Sequence, residues 1–340
     1  MKTTDDLARE LGFPLDELEQ VAAMGNTMYF FQRSRKGTKV RVFRCPKGRL
    51  LRIQQAIRKR LLDQLPLPTT VHGWQRGHSP RTYAAQHTGQ CVILNVDIKN
   101  FFPSVRSGRV CAFWESMGYG ATAARLLTRL TTCDNQLPQG APTSPARGKQ
   151  MLRNLDRRLG FAAKDGLNYG SYGDEFSISG RRRVKKYKNL VCRIVRQEGY
   201  EVNPEKVKIM HCYERQEIAG IVVNKKLSLG RKEYRILRAI IHNCIVQGPE
   251  SANRQGHPKF RAHLRGRVAY LQSISPRLGR HLLHELQKIQ WAASTTRPTA
   301  NPRGASQNPH LLPGSQNSDT ARTWKLRPVL PDLACPRNCN

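Results

Sequence analysis

Apolar positions along the chain change period several times, and each change marks an element. Residues 4–23 have helical spacing in two short stretches. Thr4 or Asp5 is placed to cap the first, and Gly12-Phe13-Pro14 breaks it before Leu15 to Ala23. Residues 27–45 alternate instead, and Thr38 to Arg44 reads as a basic strand after a turn at Lys36-Gly37. Leu50 to Leu65 returns to helical spacing on a cationic helix that Pro66 and Pro68 end.

The middle of the chain reads as a sheet with helices packed on it. Cys91 to Val96 is a buried strand running into Asp97. Leu167–Tyr172 and Phe176–Ser179 flank Gly173-Asp174, a two-residue hairpin turn in which glycine takes positive φ freely. Val207–Met210 and Ile218–Val223 supply two more strands. Between the two pairs, residues 183–198 form a helix, with Tyr187, Leu190, Val191, Ile194 and Val195 on one face and bases on the other. Arg231 to Trp291 is helical and basic, divided into two helices at Pro276. From Ala293 the chain is Pro-rich with no periodic apolar face, as expected of a disordered tail over 293–340.

Composition narrows the function classes. The 340 residues include 58 Lys and Arg against 24 Asp and Glu, a net charge of +34, while 39% are hydrophobic. That is enough to bury a core, and the surplus charge calls for a polyanionic partner, nucleic acid first. No apolar run approaches the roughly 18 residues of a membrane span, and the first residues carry no secretory signal, so a cytoplasmic location is expected. The nine cysteines are scattered without CxxC pairs, which points to free thiols rather than zinc.

In a chain this poor in acids, three carboxylates stand out. Asp97 follows a buried strand, and Asp174-Glu175 occupy the turn and exit of a hairpin. Antiparallel pairing would bring all three to one sheet edge, where like charges repel and a divalent metal is the usual remedy. Two magnesium ions held there would clamp a triphosphate and activate a 3′-hydroxyl. The other reading of each is an ordinary turn or strand-end acid.

The neighbouring segments carry a resemblance. Asn95-Val-Asp97-Ile-Lys-Asn-Phe-Phe102-Pro-Ser104 is followed by Leu137-Pro-Gln139-Gly140-Ala-Pro-Thr-Ser-Pro145, Tyr172-Gly-Asp174-Glu175, Asn203-Pro-Glu-Lys206 and Ile218-Ala-Gly220. In this order they resemble the motifs of reverse transcriptases. Val71-His-Gly73-Trp-Gln-Arg-Gly77-His-Ser79, leading to Tyr83-Ala-Ala-Gln-His87, resembles the bacterial retron branch in particular. The resemblance implies an α+β right-hand polymerase fold. N-terminal helices (1–25) precede fingers drawn from 26–92 and partly 104–140, a palm with an antiparallel sheet over 93–228, and a helical thumb over 229–292.

The same resemblance assigns Asp97, Asp174 and Glu175 as catalytic metal ligands, with Ile98 lending its carbonyl. Two Mg2+ ions are implied, for which Mn2+ can substitute. Phe102 matches the aromatic that screens the sugar 2′ position, its alternative being an ordinary core phenylalanine. Gln139 and Gly140 border the incoming nucleotide, and glycine is needed wherever backbone must approach a phosphate or base. Lys39 and Arg41 would reach the triphosphate or else form a solvated basic face. His87 taken alone reads as a satisfied structural histidine, and in its matched setting it is given an RNA-related role. Arg261, Arg265 and Arg267, with Tyr270, would meet nucleic acid from a thumb helix, Arg261 and Arg265 sharing a face at i, i+4. The run Arg181 to Lys188 is either a further nucleic-acid patch or a solvated face.

Enzymes of this branch copy one structured non-coding RNA that is both template and primer, starting from a guanosine 2′-hydroxyl. They leave DNA branched onto the RNA and commonly work beside an effector protein in anti-phage defence. Three motifs depart from the pattern: Glu175 replaces the second aspartate, Tyr83 an asparagine, and Ile218-Ala219 a Val-Thr pair. The first lengthens a carboxylate arm by roughly 1.5 Å, which matters for an ion with a strict octahedral shell. The expectation is retained activity, because Asp97, Asp174, Phe102 and the Pro-Gln-Gly loop are intact. A non-catalytic RNA-binding scaffold is the competing class. A group II intron-like or other defence-associated enzyme is the competing biology, and the length of the sequence leads us to expect the retron-like form without an added maturase or endonuclease domain.

Overall fold

The computed structural model of the chain describes residues 1–36 and 39–291; Gly37 of the expected turn, Thr38 of the expected strand and the tail over 293–340 lie outside them. Its described residues form two compact units, one of residues 1–233 with 273–275, the other of 234–272 with 276–291.

The first unit opens with α1 (Thr4–Leu11) and α2 (Leu15–Met24). The cap of α1 is Thr3, one residue before the expected Thr4 or Asp5. Its hydroxyl accepts from the Asp6 N–H, and the Asp6 carboxylate accepts from the Thr3 N–H. β1 (Tyr29–Lys36) and β2 (Lys39–Pro46) form an antiparallel hairpin. α3 (Gly48–Ile57) then widens into a π turn over Arg58–Leu62, so the cationic helix ends before the expected Leu65. α4 (Pro80–Ala85) has Pro80 in its first turn and a reciprocal cap between Ser79 and Thr82.

β3 (Val92–Asp97) leads into α5 (Phe101–Ser104), α6 (Ser107–Ser116) and α7 (Ala121–Thr131), then α8 (Thr143–Met151), α9 (Arg153–Leu159) and α10 (Phe161–Lys164). β4 (Asn168–Tyr172) and β5 (Glu175–Gly180) follow. The helix expected over 183–198 begins as a 3-10 segment and becomes α11 only at Lys188–Gln197. β6 (Lys208–His211) completes an antiparallel sheet of order β4-β5-β3-β6.

Alternation along β3 and β5 divides this sheet into two faces. Val92, Leu94, Val96, Phe176 and Ile178 point into the main core, with Leu155, Leu159, Val191 and Val195 among its buried members. The opposite face carries Ile93, Asn95 and Asp97 beside Ser179, Ser177 and Glu175, and α4 packs over it.

The expected strand Ile218–Val223 is instead a separate hairpin of two short strands, β7 (Glu217–Ile218) and β8 (Ile221–Val222). Ala219 and Gly220 both have positive φ, the pattern of a tight type I′ turn. An unbroken apolar run hides such a reversal.

In the second unit the helical stretch divides into α12 (Arg231–Gln247), whose first residues belong to the first unit, α13 (Pro249–Ala252), α14 (Phe260–Ile274) and α15 (Pro276–Gln287). Gly248-Pro249 is a break that the expected two-helix division omits. Leu237, Ile241, Leu264, Val268, Leu282 and Leu286 are buried. A Cβ on Gly279 would lie 2.2 Å from the Gln272 Cα, so α14 and α15 touch backbone to backbone there. The seven cysteines among the described residues are free thiols.

Candidate active site

The sheet brings the three acids to one end. Asp97, last in β3, pairs directly with Glu175, first in β5, and the Ile98 N–H donates to the Asp174 carbonyl at 3.0 Å. Gly173 has φ +67° at the first position of the β4–β5 turn, as the two-residue hairpin requires. Asp174 occupies the second position.

The electrostatics of this end are strained. Burial and then the Asp97 charge push the Asp174 carboxyl above its usual range, against a partial pull from Lys206 and Arg41. Glu175 is pushed up to about 7, again by burial first and Asp97 second. Its Oε1 is buried without a hydrogen-bond partner. Asp97 is itself buried, and the Lys206 Nζ donates to its Oδ2 at 2.7 Å.

The donor set fits a hard divalent cation: carboxylate oxygens only, mutually repelling, one of them orphaned. Among the described residues no three His, Cys, Asp or Glu side chains gather closely enough to hold an ion by themselves. Magnesium ordinarily takes one or two carboxylates and completes its shell with water and substrate phosphates, so an all-protein cage is not required.

Phe102 lies on α5 immediately beyond Asp97, half-buried, 5.2 Å between ring centroids from Trp74 and 5.3 Å from Phe101. Gln139 joins the loop to the first hairpin, its carbonyl accepting from the Arg44 N–H at 2.6 Å. Gly140 has φ +108°, and a Cβ there would sit 2.8 Å from the Cys45 Sγ. Its glycine is therefore required by packing against β2, whereas the sequence suggested approach to a nucleotide. Lys39 and Arg41 both fall on β2; Arg41 is exposed, and its charge reaches Asp174.

His87 is corrected. It is 0% exposed, its Nδ1 is 2.7 Å from the Ser179 Oγ, and burial drives it down to about 3, so it is neutral. A direct RNA contact needs a surface that it lacks. With Tyr83, whose hydroxyl donates to the Ser177 Oγ at 2.7 Å, it fastens the end of α4 to the sheet.

Arg261 and Arg265 are exposed on α14 and Arg267 is half-buried. The first two line an open cleft of about 1030 Å³ with His257, Lys259, Phe260 and Trp291, and the Arg261 guanidinium lies 5.7 Å from the Trp291 ring centroid. A stacking surface beside guanidinium groups suits single-stranded nucleic acid.

Two features of the acid-bearing end escape the sequence reading. Lys206 is the pairing cation of Asp97, and the segment Asn203-Pro-Glu-Lys206 was its visible trace. Gly73-Trp74 lies against the turn itself, and only its place within a matched segment hinted at a role.

The sequence has known relatives. Residues 34–241 match the family described as reverse transcriptase (RNA-dependent DNA polymerase). The retron Mx65 reverse transcriptase of Myxococcus xanthus is 34% identical over 81% of this chain and 69% of its own length. The retron Ec86 reverse transcriptase of Escherichia coli is 27% identical over 77% and 81%. Among solved structures, a telomerase from Candida albicans in complex with a fragment of telomeric RNA has a TM-score of 0.45 at 9% identity, covering 77% of this chain and 56% of that one.

Proposed function

The chain belongs to the reverse transcriptase family of RNA-directed DNA polymerases, with retron enzymes among its relatives, and on that premise we propose that it copies a structured non-coding RNA into RNA-linked single-stranded DNA. The observation that carries this reading is the pairing of Asp97 with Glu175 beside Asp174, at a sheet end where the Glu175 Oε1 is enclosed without a partner.

In this reading Asp97 and Asp174 hold divalent cations, magnesium by the chemistry of the donors, with Glu175 and the Ile98 carbonyl alongside. Such ions, when bound, clamp the triphosphate and lower the pKa of the attacking 3′-hydroxyl. Lys206 pairs with Asp97 and orients its carboxylate. Phe102 faces the sugar and disfavours a 2′-hydroxyl. Gln139 and Gly140 border the nucleotide, and Lys39 and Arg41 supply charge for its phosphates. Arg261, Arg265 and Arg267 hold the nucleic acid by contacts that weaken steeply with salt. Positioning and preorganised charge then carry most of the catalysis. Priming from a guanosine 2′-hydroxyl, a neighbouring effector protein and a role in anti-phage defence rest on kinship with retron enzymes. No helix among the described residues is long and apolar enough to cross a membrane.

The test is extension of a DNA primer on an RNA template with labelled dNTPs, in magnesium and in manganese, beside Asp97→Asn. Extension that the substitution abolishes supports the reading. Silence in both metals with RNA binding intact, unrescued by Glu175→Asp, would replace it with a non-catalytic RNA scaffold. A 2′–5′ linkage between RNA and product would separate retron synthesis from a group II intron-like activity.

A further inference from the structure

Three segments far apart in the sequence meet at one indole ring. Trp74 has φ +56°, a left-handed conformation uncommon for a bulky residue, and it sits in a loop docked on β4. That docking is specific: Val71 bridges Ser171, the His72 N–H donates to the Ser171 carbonyl at 2.8 Å, and the Ser171 N–H donates to the Thr70 carbonyl at 2.9 Å.

The loop then brings its backbone onto the turn that carries Asp174. A Cβ on Gly73 would lie 2.0 Å from the Gly173 nitrogen, and a Cβ on Gly173 would lie 2.9 Å from the Trp74 Cζ2. The indole thus covers the turn. Its ring also packs on Phe101, with centroids 6.2 Å apart and planes at 18°, and on Phe102 at 5.2 Å. Gly148 of α8, just beyond the Pro-Gln-Gly loop, completes the enclosure: a Cβ there would stand 3.1 Å from the Trp74 Cζ3 and 2.9 Å from the Phe101 Cε1.

We propose that Trp74 is a positioning residue for sugar selection, holding the Phe102 ring at a fixed distance from the Gly173-Asp174 turn. The inference rests on the reading of Phe102 as the residue that screens the sugar. A ring that excludes one oxygen atom must be held to within about half an ångström. Phe102 is braced on one side by Phe101, a core residue, and on another by Trp74, which also touches the turn that carries Asp174. Without the indole the Phe102 ring gains room to swing aside, and a ribonucleotide gains access.

The experiment measures kcat/KM for a dNTP and its matching NTP on one primer-template, for the wild type, Phe102→Val, Trp74→Phe and Trp74→Leu. Trp74→Leu retains apolar bulk without a flat ring, and thermal unfolding checks that each variant is folded. Phe102→Val is expected to relax the dNTP preference by about 100-fold or more, the cost of losing a steric wall. Trp74→Leu is expected to relax it by about 10-fold, and Trp74→Phe by no more than about 2-fold. A purely structural role lowers both rates together and leaves their ratio alone. If Phe102→Val relaxes selection while folded Trp74→Leu keeps the wild-type ratio, the proposal fails and the reading of Phe102 stands. If Phe102→Val leaves the ratio unchanged, both fall.

Discussion

Polar residues along one face of the central sheet meet two different fates. Toward the end of β5, Ser177 accepts from Tyr83 and donates to the Asn95 Oδ1 at 3.0 Å, while Ser179 holds the Nδ1 of a neutral His87 whose buried Nε2 has no partner. At the start of the same strand Glu175 is half-buried with its Oε1 enclosed and unpartnered, beside two more carboxylates. Two residues of spacing separate a hydrogen-bonded fastening from an electrostatic conflict. Buried polar groups with partners define a unique packing, whereas like charges held together without enough countercharge await something positive. The first arrangement explains how α4 is attached, and the second marks where a ligand belongs.

The largest test of that contrast is Asp174→Asn. It is expected to lower nucleotide incorporation by about 10³-fold or more with little loss of stability, measured by primer extension beside thermal unfolding. An equal collapse of both would make the acid end structural after all. On the fastened side, His87→Ala removes a buried ring and its bond to Ser179 and is expected to cost about 2–4 kcal/mol in denaturant unfolding. RNA affinity per folded molecule should not change; a selective loss of affinity would restore the RNA role expected from the sequence.

Asp156 offers a sharper comparison: it is more deeply buried than Glu175 and accepts from the Tyr169 hydroxyl at 2.5 Å. Burial nonetheless lifts it to about 6 from the ordinary 3.8. The folded state holds its proton more tightly than the unfolded chain does. Its contribution to stability is therefore fully present below about pH 4 and is lost as the pH rises through 6. Asp156→Asn should match the wild type near pH 4 and exceed it by about 1–3 kcal/mol at pH 7, measured by chemical denaturation across that range. Identical pH profiles would show that the hydroxyl partners compensate the buried charge completely. The smallest effect is expected of Tyr83→Phe, about 1 kcal/mol in the same measurement, because it deletes one hydroxyl from a chain of bonds and leaves the packing intact.

Local pattern made much of this legible. A short apolar run found β3, and Gly173-Asp174 announced both the turn that carries Asp174 and the strands β4 and β5 on either side of it. Matched segments then named the acids, Phe102 and the Pro-Gln-Gly loop. Why that loop needs glycine at position 140 is explained only by the structure, where the Cys45 Sγ of β2 lies 2.8 Å from the place of a Cβ. Other features depend on distant partners. His87 looked available because burial is decided by tertiary packing, not by a histidine's neighbours in sequence. The reversal at Ala219-Gly220 was hidden because an alanine at positive φ gives no compositional sign. The contact of Gly73 with Gly173 joins segments far apart along the chain, and no periodicity reports it.

The central position of β3 has a consequence for synthesis of the chain. The bond from Ser177 to Asn95 spans 82 residues and that from Lys206 to Asp97 spans 109. The β4–β5 hairpin closes through a two-residue turn within microseconds, but β3 leaves the ribosome long before either neighbour exists. At about 5–20 residues per second, its apolar run Val92–Val96 waits roughly 4–16 s for β5. During that interval an interior strand of the finished sheet has two unpaired edges, and the carboxylate at its tip has not yet met the charges that will repel it.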